Sequence, residues 1–209
     1  FNNYFPSFYE QVKLVSSTPI RNIATLAGNF VNASPIGDFT IFFLALDATL
    51  QLSDGENKRE IKLKDFYKGY KSLNKTTEEF VEKISFTLPD ATTLFSFEKV
   101  SKRTNLDIAS VNSAIQLRIE NNKISEAHVS AGGVSATPFY LTKTSSFLLH
   151  KEINEVIILE VQEIAQSEIA PISDARGTAE YKRLLLRQLL FVHFHKLFPH
   201  IQIEKLIHA

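Results

Sequence analysis

The sequence predicts an α+β fold in two parts, and three patterns indicate it. Apolar and polar residues alternate over Ser113–Glu120 and the pattern returns over Ile124–Ala131, with the turn Asn121–Lys123 between them. This spacing is typical of a β-hairpin with one buried face. Helix-length segments follow the hairpin, whereas short strand-like and helix-like segments are mixed before it. Strands followed by helices favour α+β over a regularly alternating α/β fold.

The first part, residues 1–92, is predicted to contain short elements. Ser34 and Pro35 are the residue types of an N-cap and a first helical position, so we expect a buried helix to begin there and continue through Phe39–Leu46. The other expected elements are a helix at Ser7–Val15, a turn at Thr18–Pro19, a small Gly- and Asn-bearing stretch at Arg21–Asn32, strands at Ala48–Leu52, Lys58–Leu63 and Ile84–Leu88, and short helices or turns at Leu63–Tyr70 and Thr76–Lys83.

The second part, residues 93–209, is predicted to be a three-stranded antiparallel sheet followed by helices. The strand Phe95–Val100 joins the hairpin, and Gly132-Gly133 closes it with a tight turn. Helices are expected at Leu141–Leu149, at Ile153–Ile169 and at Ala179–Leu197, the last capped by Thr178. The apolar stripe expected on this last helix is Tyr181, Leu184, Leu185, Leu189 and Val192.

Composition excludes several classes of function. Lys+Arg and Asp+Glu both number 23, so the net charge is zero and nucleic acid is disfavoured as a main partner. No apolar run reaches the roughly 18 residues of a membrane span, and no signal peptide is recognisable. Cys is absent, which excludes disulfides, thiolate catalysis and an iron–sulfur cluster ligated within this chain. We expect a cytoplasmic protein. The first residue is Phe and Met is absent, so we expect either a piece of a longer chain or a sequence from which modified methionines are missing.

No metal site and no catalytic residue are predicted. His193 and His195 are two residues apart, which on a helix directs them to different faces, whereas zinc-binding pairs are four apart. With His200 and His208 they indicate a partly exposed helix end. No Ser–His–Asp arrangement or pair of catalytic carboxylates is recognisable.

The segment Ala24–Asn32 has the residue types of a ligand-binding loop. Thr25, Gly28, Asn29 and Asn32 bring small and polar groups together before a helix, and backbone N–H groups there suit an anionic ligand such as phosphate. The alternative is an ordinary loop without a ligand. Near the start of the last helix, Asp174, Arg176 and Tyr181 could form a hydrogen-bonded corner that is structural or faces a partner.

Five strings occur in an order that carries a family resemblance. They are IRNIATLAGNFVNASPIGD at residues 20–38, DFYKGYK at Asp65–Lys71, FEKVSKRTNLDIASVNSA at Phe97–Ala114, AGGVSATP at Ala131–Pro138 and PISDARGTAEYKR at Pro171–Arg183. The chain resembles the FAD-binding small subunit of the xanthine dehydrogenase, or molybdenum hydroxylase, family. The resemblance implies the C-terminal part of a vanillyl-alcohol-oxidase-like (PCMH-type) FAD-binding domain at 1–92. It also implies a CO-dehydrogenase-flavoprotein-like C-terminal domain at 93–209.

The same resemblance assigns roles to the segment around Gly28. Thr25, Gly28, Asn29 and Asn32 would line the FAD, and Asp38 would hydrogen-bond its polar part. For Asp38 the alternative is a carboxylate that only complements the dipole of a helix.

Four residues further along the chain also receive roles by resemblance. Lys99 would reach the flavin, and Val81 would pack against the cofactor. Tyr70 would lie near the nicotinamide in enzymes that use NAD, and Asp107 would belong to a charged loop beside the flavin ring. The alternatives are a solvated Lys99, a core Val81 and a structural Tyr70.

Two departures from the family pattern bear on the cofactor. Ala27 stands where the family usually has the first Gly of Gly-Gly-Asn, and its methyl group is harmless if the backbone there has a negative φ. The family's earlier Gly-rich loop, which holds the FAD pyrophosphate, has no counterpart in these residues. We therefore expect about half of a flavin site here, and weak FAD binding by this polypeptide alone.

The resemblance implies an electron-transfer function. A molybdenum-cofactor subunit would oxidise the substrate, and [2Fe–2S] clusters in a partner chain or upstream domain would pass electrons through FAD to NAD or O₂. The protein would be part of an oligomer, with no nucleic acid or membrane partner. Two alternatives stay open: a docking module related to flavin subunits but without bound FAD, and a flavoenzyme of the same fold that acts alone.

Overall fold

The structure is a computed structural model that describes residue 1 and residues 3–202. Buried side chains form two hydrophobic cores, one for each half of the chain. The first core is rich in Phe and extends into the second half through Phe97 and Ala114. The second core is mostly aliphatic. The family-based boundary between residues 92 and 93 stays a prediction.

The first half contains four short helices and two small sheets. The helices are α1 (Phe8–Lys13), α2 (Thr18–Ile23), α3 (Leu26–Val31) and α4 (Asp38–Leu44), and a 3₁₀ turn covers Leu63–Asp65. The strands are β1 (Thr49–Ser53), β2 (Lys58–Lys62), β3 (Tyr67–Gly69), β4 (Ser72–Leu73) and β5 (Phe80–Ser85). The order β2-β1-β5 forms an antiparallel sheet, and β3 pairs with β4. Six of the seven α4 residues are buried, so this helix is the centre of the first core.

Three expectations for the first half are wrong in detail. The buried helix begins at Asp38 with Gly37 as N-cap, because a turn closed by the Gly37 N–H and the Ser34 carbonyl (3.0 Å) precedes it. Arg21–Asn32 is largely helical rather than a loop, since Pro19 starts α2 and Thr25 caps α3. The segment Thr76–Lys83 is not a helix. Its second half belongs to β5, which pairs with β1.

The second half is an antiparallel sheet covered by helices, as expected. Strands β6 (Thr93–Val100), β7 (Val111–Glu120) and β8 (Lys123–Gly132) are the three expected ones. A fourth strand of two residues, β9 (Phe139–Tyr140), adds to the edge of β8, so the sheet order is β6-β7-β8-β9. The helices are α5 (Thr142–Leu148), α6 (Glu155–Glu168) and α7 (Ala179–Leu197).

The last helix has a wider buried face than the sequence indicated. Leu185 and Leu189 are buried as expected, but Tyr181 and Leu184 are exposed by 44% and 52%. α7 packs against β6 and β7 and also against α6, so more than one stripe is covered. The buried set is Lys182, Leu185, Leu186, Leu189, Leu190, Phe191, His193 and Phe194. Within the described residues, no helix is long and apolar enough to cross a bilayer.

The two halves meet where the loop before α4 contacts the end of β8. The Gly133 N–H donates to the Pro35 carbonyl (2.9 Å), and Ser130 Oγ donates to the Ile41 carbonyl (2.7 Å). Gly132 allows this approach, because a Cβ built there would lie 2.1 Å from Asn112 Oδ1 and 2.9 Å from the Pro35 oxygen. The contact fixes α4 relative to the second sheet, and with it the wall of the cavity described next.

Candidate functional site

Both halves of the chain line one cavity of about 1240 Å³. From the first half come residues of α1 and α2, Leu26, Gly28 and Asn29 of α3, and the start of α4. From the second half come the loop Leu106–Ala109 and Arg176. Pockets for small ligands are typically about 300–1,000 Å³, so this space is large enough for a dinucleotide-sized group. Of the residues assigned by resemblance, Thr25, Gly28, Asn29, Asn32, Asp38 and Asp107 lie on its wall.

Thr25 and Gly28 shape the cavity through α3. The Thr25 hydroxyl accepts a hydrogen bond from the Gly28 N–H (2.9 Å), so Thr25 acts as the N-cap of this helix. Gly28 presents bare backbone to the cavity. The neighbouring Ala27 is helical, has no positive φ and does not line the cavity. Its methyl group, the departure from the family pattern, is therefore accommodated without strain.

Asn29 and Asn32 hold surrounding segments in place. Asn29 Oδ1 accepts from both the N–H and the hydroxyl of Thr40, at 3.1 and 2.9 Å, and so joins α3 to α4. The Asn32 carbonyl and its Oδ1 accept from Lys71 Nζ. Their side-chain oxygens thus have structural partners, which sequence reasoning about ligand contacts did not show.

Asp38 is at the centre of a buried polar cluster. Its Oδ2 accepts from Lys99 Nζ at 2.7 Å, and its Oδ1 accepts from Asn112 Nδ2 at 2.6 Å. Lys99 Nζ also donates to the Leu14 carbonyl (2.8 Å). Burial raises the pKa of Asp38 above its usual range, whereas the Lys99 ammonium and the Asn112 amide act in the opposite direction. The cluster joins α1, α4, β6 and β7 beside the cavity.

Three residues assigned by resemblance do not line the cavity. Lys99 is directed into the Asp38 cluster with its side chain only 4% exposed, so it is neither solvated nor on the cavity wall. Val81 packs against the first core. Tyr70 is 67% exposed in the turn between β3 and β4.

The loop of Asp107 is stabilised from within. Asp107 Oδ2 accepts from the Arg103 N–H (2.8 Å), Oδ1 accepts from the Ile108 N–H (3.0 Å), and the Arg103 guanidinium lies 3.7 Å away. The backbone hydrogen bond from Arg103 is the main reason that the pKa of Asp107 is lowered. Beside this loop lies Arg176, a cavity residue that the sequence indicated only as part of a corner that is structural or faces a partner.

The histidines near the C-terminus differ from the expected exposed helix end. His195 is exposed, but His193 is fully buried, with Nδ1 2.9 Å from Ser96 Oγ. His208 lies outside the described residues. No cluster of three metal-ligating side chains occurs in residues 1 and 3–202.

Family models match nearly the whole chain. Residues 1–89 match the FAD binding domain in molybdopterin dehydrogenase. Residues 96–197 match the CO dehydrogenase flavoprotein C-terminal domain.

Most of this chain is similar in sequence to dehydrogenases from several organisms. The chain is 27% identical over 189 residues to the glyceraldehyde dehydrogenase medium chain of Sulfolobus acidocaldarius, covering 90% of this chain and 66% of that protein. It is 30% identical over 196 residues to xanthine dehydrogenase 1 of Arabidopsis thaliana, covering 90% of this chain and 14% of the relative. The chain thus spans at most about two thirds of these relatives.

A solved structure supports the fold. Carbon monoxide dehydrogenase from Hydrogenophaga pseudoflava contains a chain that superposes with a TM-score of 0.83 at 22% identity, covering 90% of this chain and 66% of that chain. The α+β fold, a mixed set of helices and antiparallel sheets, is thereby confirmed. Two adjoining domain models and a shared cavity agree: the chain belongs to the family of FAD-binding subunits of molybdenum-dependent dehydrogenases.

Proposed function

We propose that this chain holds FAD in the cavity between its two halves and serves as the electron-transfer subunit of a xanthine dehydrogenase-like molybdenum hydroxylase. FAD, when bound, accepts electrons from [2Fe–2S] clusters and passes them to NAD⁺ or O₂. The observation that carries the proposal is the convergence of distant segments. Residues Thr25–Asp38 and the loop at Asp107 lie far apart in the sequence and line the same cavity.

The cavity has the polarity that a flavin requires. Aliphatic and aromatic side chains dominate its wall, among them Ile23, Leu26, Phe39 and Leu106. Such a wall excludes water and accommodates a flat ring, while a few polar groups orient the ligand. Gly28 lies on this wall without a side chain, and a Cβ built there would lie 3.0 Å from Thr25 Oγ1. These residues fit a flavin, so their part is to bind it and set its orientation.

The partners follow from what this chain does not contain. It has no Cys, so clusters ligated by thiolates must belong to another chain or domain. We therefore propose an assembly with a molybdenum-cofactor subunit and an iron–sulfur domain or subunit. In this assembly, the substrate would be oxidised outside the present chain.

Flavin content of the purified intact subunit tests the proposal. We expect oxidised flavin absorbance at about 450 nm and FAD released on denaturation. Gly28→Leu should lower the FAD affinity at least about tenfold, because its side chain would occupy the cavity wall, a loss of about 1.4 kcal/mol. The matched control is Gly69→Leu, since Gly69 is away from the cavity and a Cβ there meets nothing closer than 4.0 Å.

Absence of flavin from the intact subunit would contradict the proposal and favour the docking-module alternative. The hydrogen bonds that Thr25, Asn29 and Asp38 make within the protein would then be their whole role, which is structural. Equal affinity loss in the Gly28 and Gly69 variants would also count against this cavity as the FAD site.

A further inference from the structure

Four charged side chains line the cavity, and three of them are bound to other parts of the protein. Arg21 donates to the carbonyls of Val15 and Ser16, at 2.7 and 2.9 Å. Asp38 is paired with Lys99, and Asp107 is held by backbone N–H groups. These three side chains stabilise the wall and have little capacity left for a ligand.

Arg176 differs from the other three. Among residues 1 and 3–202, its guanidinium makes no hydrogen bond or ion pair, although the residue is half-buried on the cavity wall. A guanidinium is always charged, and it presents five donors in a planar arrangement. A half-buried guanidinium is expected to have an acceptor as its partner. The space beside Arg176 is the cavity, so the acceptor would belong to a ligand.

The backbone that carries Arg176 is held firmly. Its N–H donates to Asp174 Oδ1 (2.8 Å), and its carbonyl accepts from Ser110 Oγ (3.2 Å). Asp174 and Gly177 form a backbone bridge around it, with N···O distances of 3.0 and 3.1 Å. Asp174 in turn pairs with the buried Lys182 at 2.7 Å. The turn is fixed, while the guanidinium that it presents makes no hydrogen bond or ion pair among the described residues; its charge only helps to lower the pKa of Asp174.

The surroundings of Arg176 indicate which part of a ligand it meets. The neighbouring wall consists of Leu106, Ile108 and Ala109, and the first two are exposed by 62% and 55%. Aliphatic side chains suit a flat ring system, whereas a hydrated diphosphate normally requires several N–H donors or cations together. One cation in an apolar wall therefore fits the polar edge of a ring.

We propose that Arg176 faces the polar edge of the flavin ring and stabilises the negative charge that the ring gains when it is reduced. The inference rests on the proposed function. An oxidised ring is neutral, and uptake of two electrons and one proton from a donor leaves one negative charge on it. A fixed cation beside that edge favours the reduced form over the oxidised form, so it raises the reduction potential. Arg176 is thus a positioning and tuning residue.

The test is the midpoint potential of FAD in the intact, flavin-loaded subunit, titrated with dithionite against a reference dye. Arg176→Gln should reduce the preference for reduced over oxidised flavin about tenfold, which is a lowering of about 30 mV for a two-electron couple. Arg176→Lys keeps the charge and should retain most of the wild-type potential. Arg187→Gln is the matched control, because it removes one positive charge from a different pocket lined by α6 and α7.

Three results separate the possibilities. An unchanged potential in flavin-loaded Arg176→Gln overturns the inference while leaving the proposed function intact, whereas a wild-type subunit without flavin overturns both.

Binding of riboflavin, FMN and FAD gives an independent readout. If Arg176→Gln weakens FMN and FAD but not riboflavin, the guanidinium pairs with phosphate and the ring assignment is wrong. Circular dichroism of each variant shows whether the fold is retained, as expected for a side chain without protein partners.

Discussion

The polar cluster of Asp38 and the polar pair of His193 are both buried, but they differ in charge. Asp38 and Lys99 form an ion pair at 2.7 Å, with side-chain exposures of 10% and 4%. His193 instead meets the neutral Ser96 hydroxyl at 2.9 Å, and burial lowers the pKa of its ring to about 3, with a smaller effect from Lys196. The cluster beside the cavity is thus charged, whereas the His193 pair is neutral.

The difference follows from what surrounds each group. Asp38 lines the cavity and has two donors, so the cost of desolvating its charge is partly offset by Lys99 and Asn112. His193 lies within the packed face of α7, where Nε2 has no partner among the described residues. A charged imidazole there would be unpaired, and neutrality is the less costly state. The charged cluster is therefore expected to be sensitive to loss of one partner, and the neutral His193 pair to protonation of its ring.

The largest effect is expected from Lys99→Met. It leaves the Asp38 carboxylate buried without its cation and the Leu14 carbonyl without a donor, which should cost about 3–5 kcal/mol of unfolding free energy at neutral pH. Without Lys99 the pKa of Asp38 should rise further, so the loss should shrink as the pH falls and Asp38 takes up a proton. Urea denaturation at several pH values measures both.

An exposed ion pair is the control for this variant. Lys58 and Glu82 lie 2.8 Å apart with side-chain exposures of 53% and 34%, so Lys58→Met should change stability by no more than about 1 kcal/mol. The double variant Lys99→Met with Asp38→Asn should recover part of the loss, because no charge is then left unpaired. Similar losses at Lys58 and Lys99 would show that burial does not distinguish the two pairs.

Gly132→Ala should disturb the Asp38 cluster through a change in the backbone next to it. The new methyl group would lie 2.1 Å from Asn112 Oδ1 and 2.9 Å from the Pro35 carbonyl, so the two halves must separate or Asn112 must turn away from Asp38. We expect a loss of about 3 kcal/mol, at the upper end of overpacking effects. Gly69→Ala is the control, since a Cβ there has its nearest neighbour at 4.0 Å. Equal stability of both variants in thermal denaturation would contradict the close approach.

The sequence predicted elements best where the pattern was long. The hairpin and the helix at Ala179–Leu197 were predicted nearly as they are, because alternation over β7 and a capped helix leave few alternatives. β5 was predicted too far along the chain, as a strand at Ile84–Leu88, because the side chains of Phe80–Ser85 are mostly exposed and their pairing with β1 makes them a strand. The start of α4 was misplaced because Ser34 and Pro35 also suit a turn.

The candidate site was predicted in composition but not in detail. Family resemblance named six of the residues that line the cavity, yet it could not show that Thr25 and Asn29 take part in structural hydrogen bonds. It assigned Lys99 to the flavin, and that role stays a prediction; in the structure the Lys99 ammonium is paired with Asp38. Arg176 was not assigned to the site, because an unpartnered guanidinium is recognised only after every neighbouring carboxylate has been located.

His193→Gln gives the smallest of these effects and tests the neutral member of the comparison. The folded-state pKa of His193, about 3, is below the usual value of 6.5, so the unfolded chain binds one more proton between these pH values. Stability from the neutral ring is therefore complete above pH 6.5 and is lost as the pH falls towards 3. Between pH 7 and pH 5 the loss should be about 2 kcal/mol.

The Gln variant cannot take up this proton. From pH 7 to pH 5 its free energy of unfolding should therefore fall by about 2 kcal/mol less than that of the wild type. Gln can still hydrogen-bond to Ser96, which limits the structural disturbance at neutral pH. His195→Gln, at an exposed position on the same helix, should follow the wild type throughout. If wild type and His193→Gln lose stability in parallel from pH 7 to pH 5, the ring at His193 takes up its proton in the folded protein as readily as in the unfolded chain. The contrast with the charged cluster at Asp38 would then be lost, since both sites would carry buried charge.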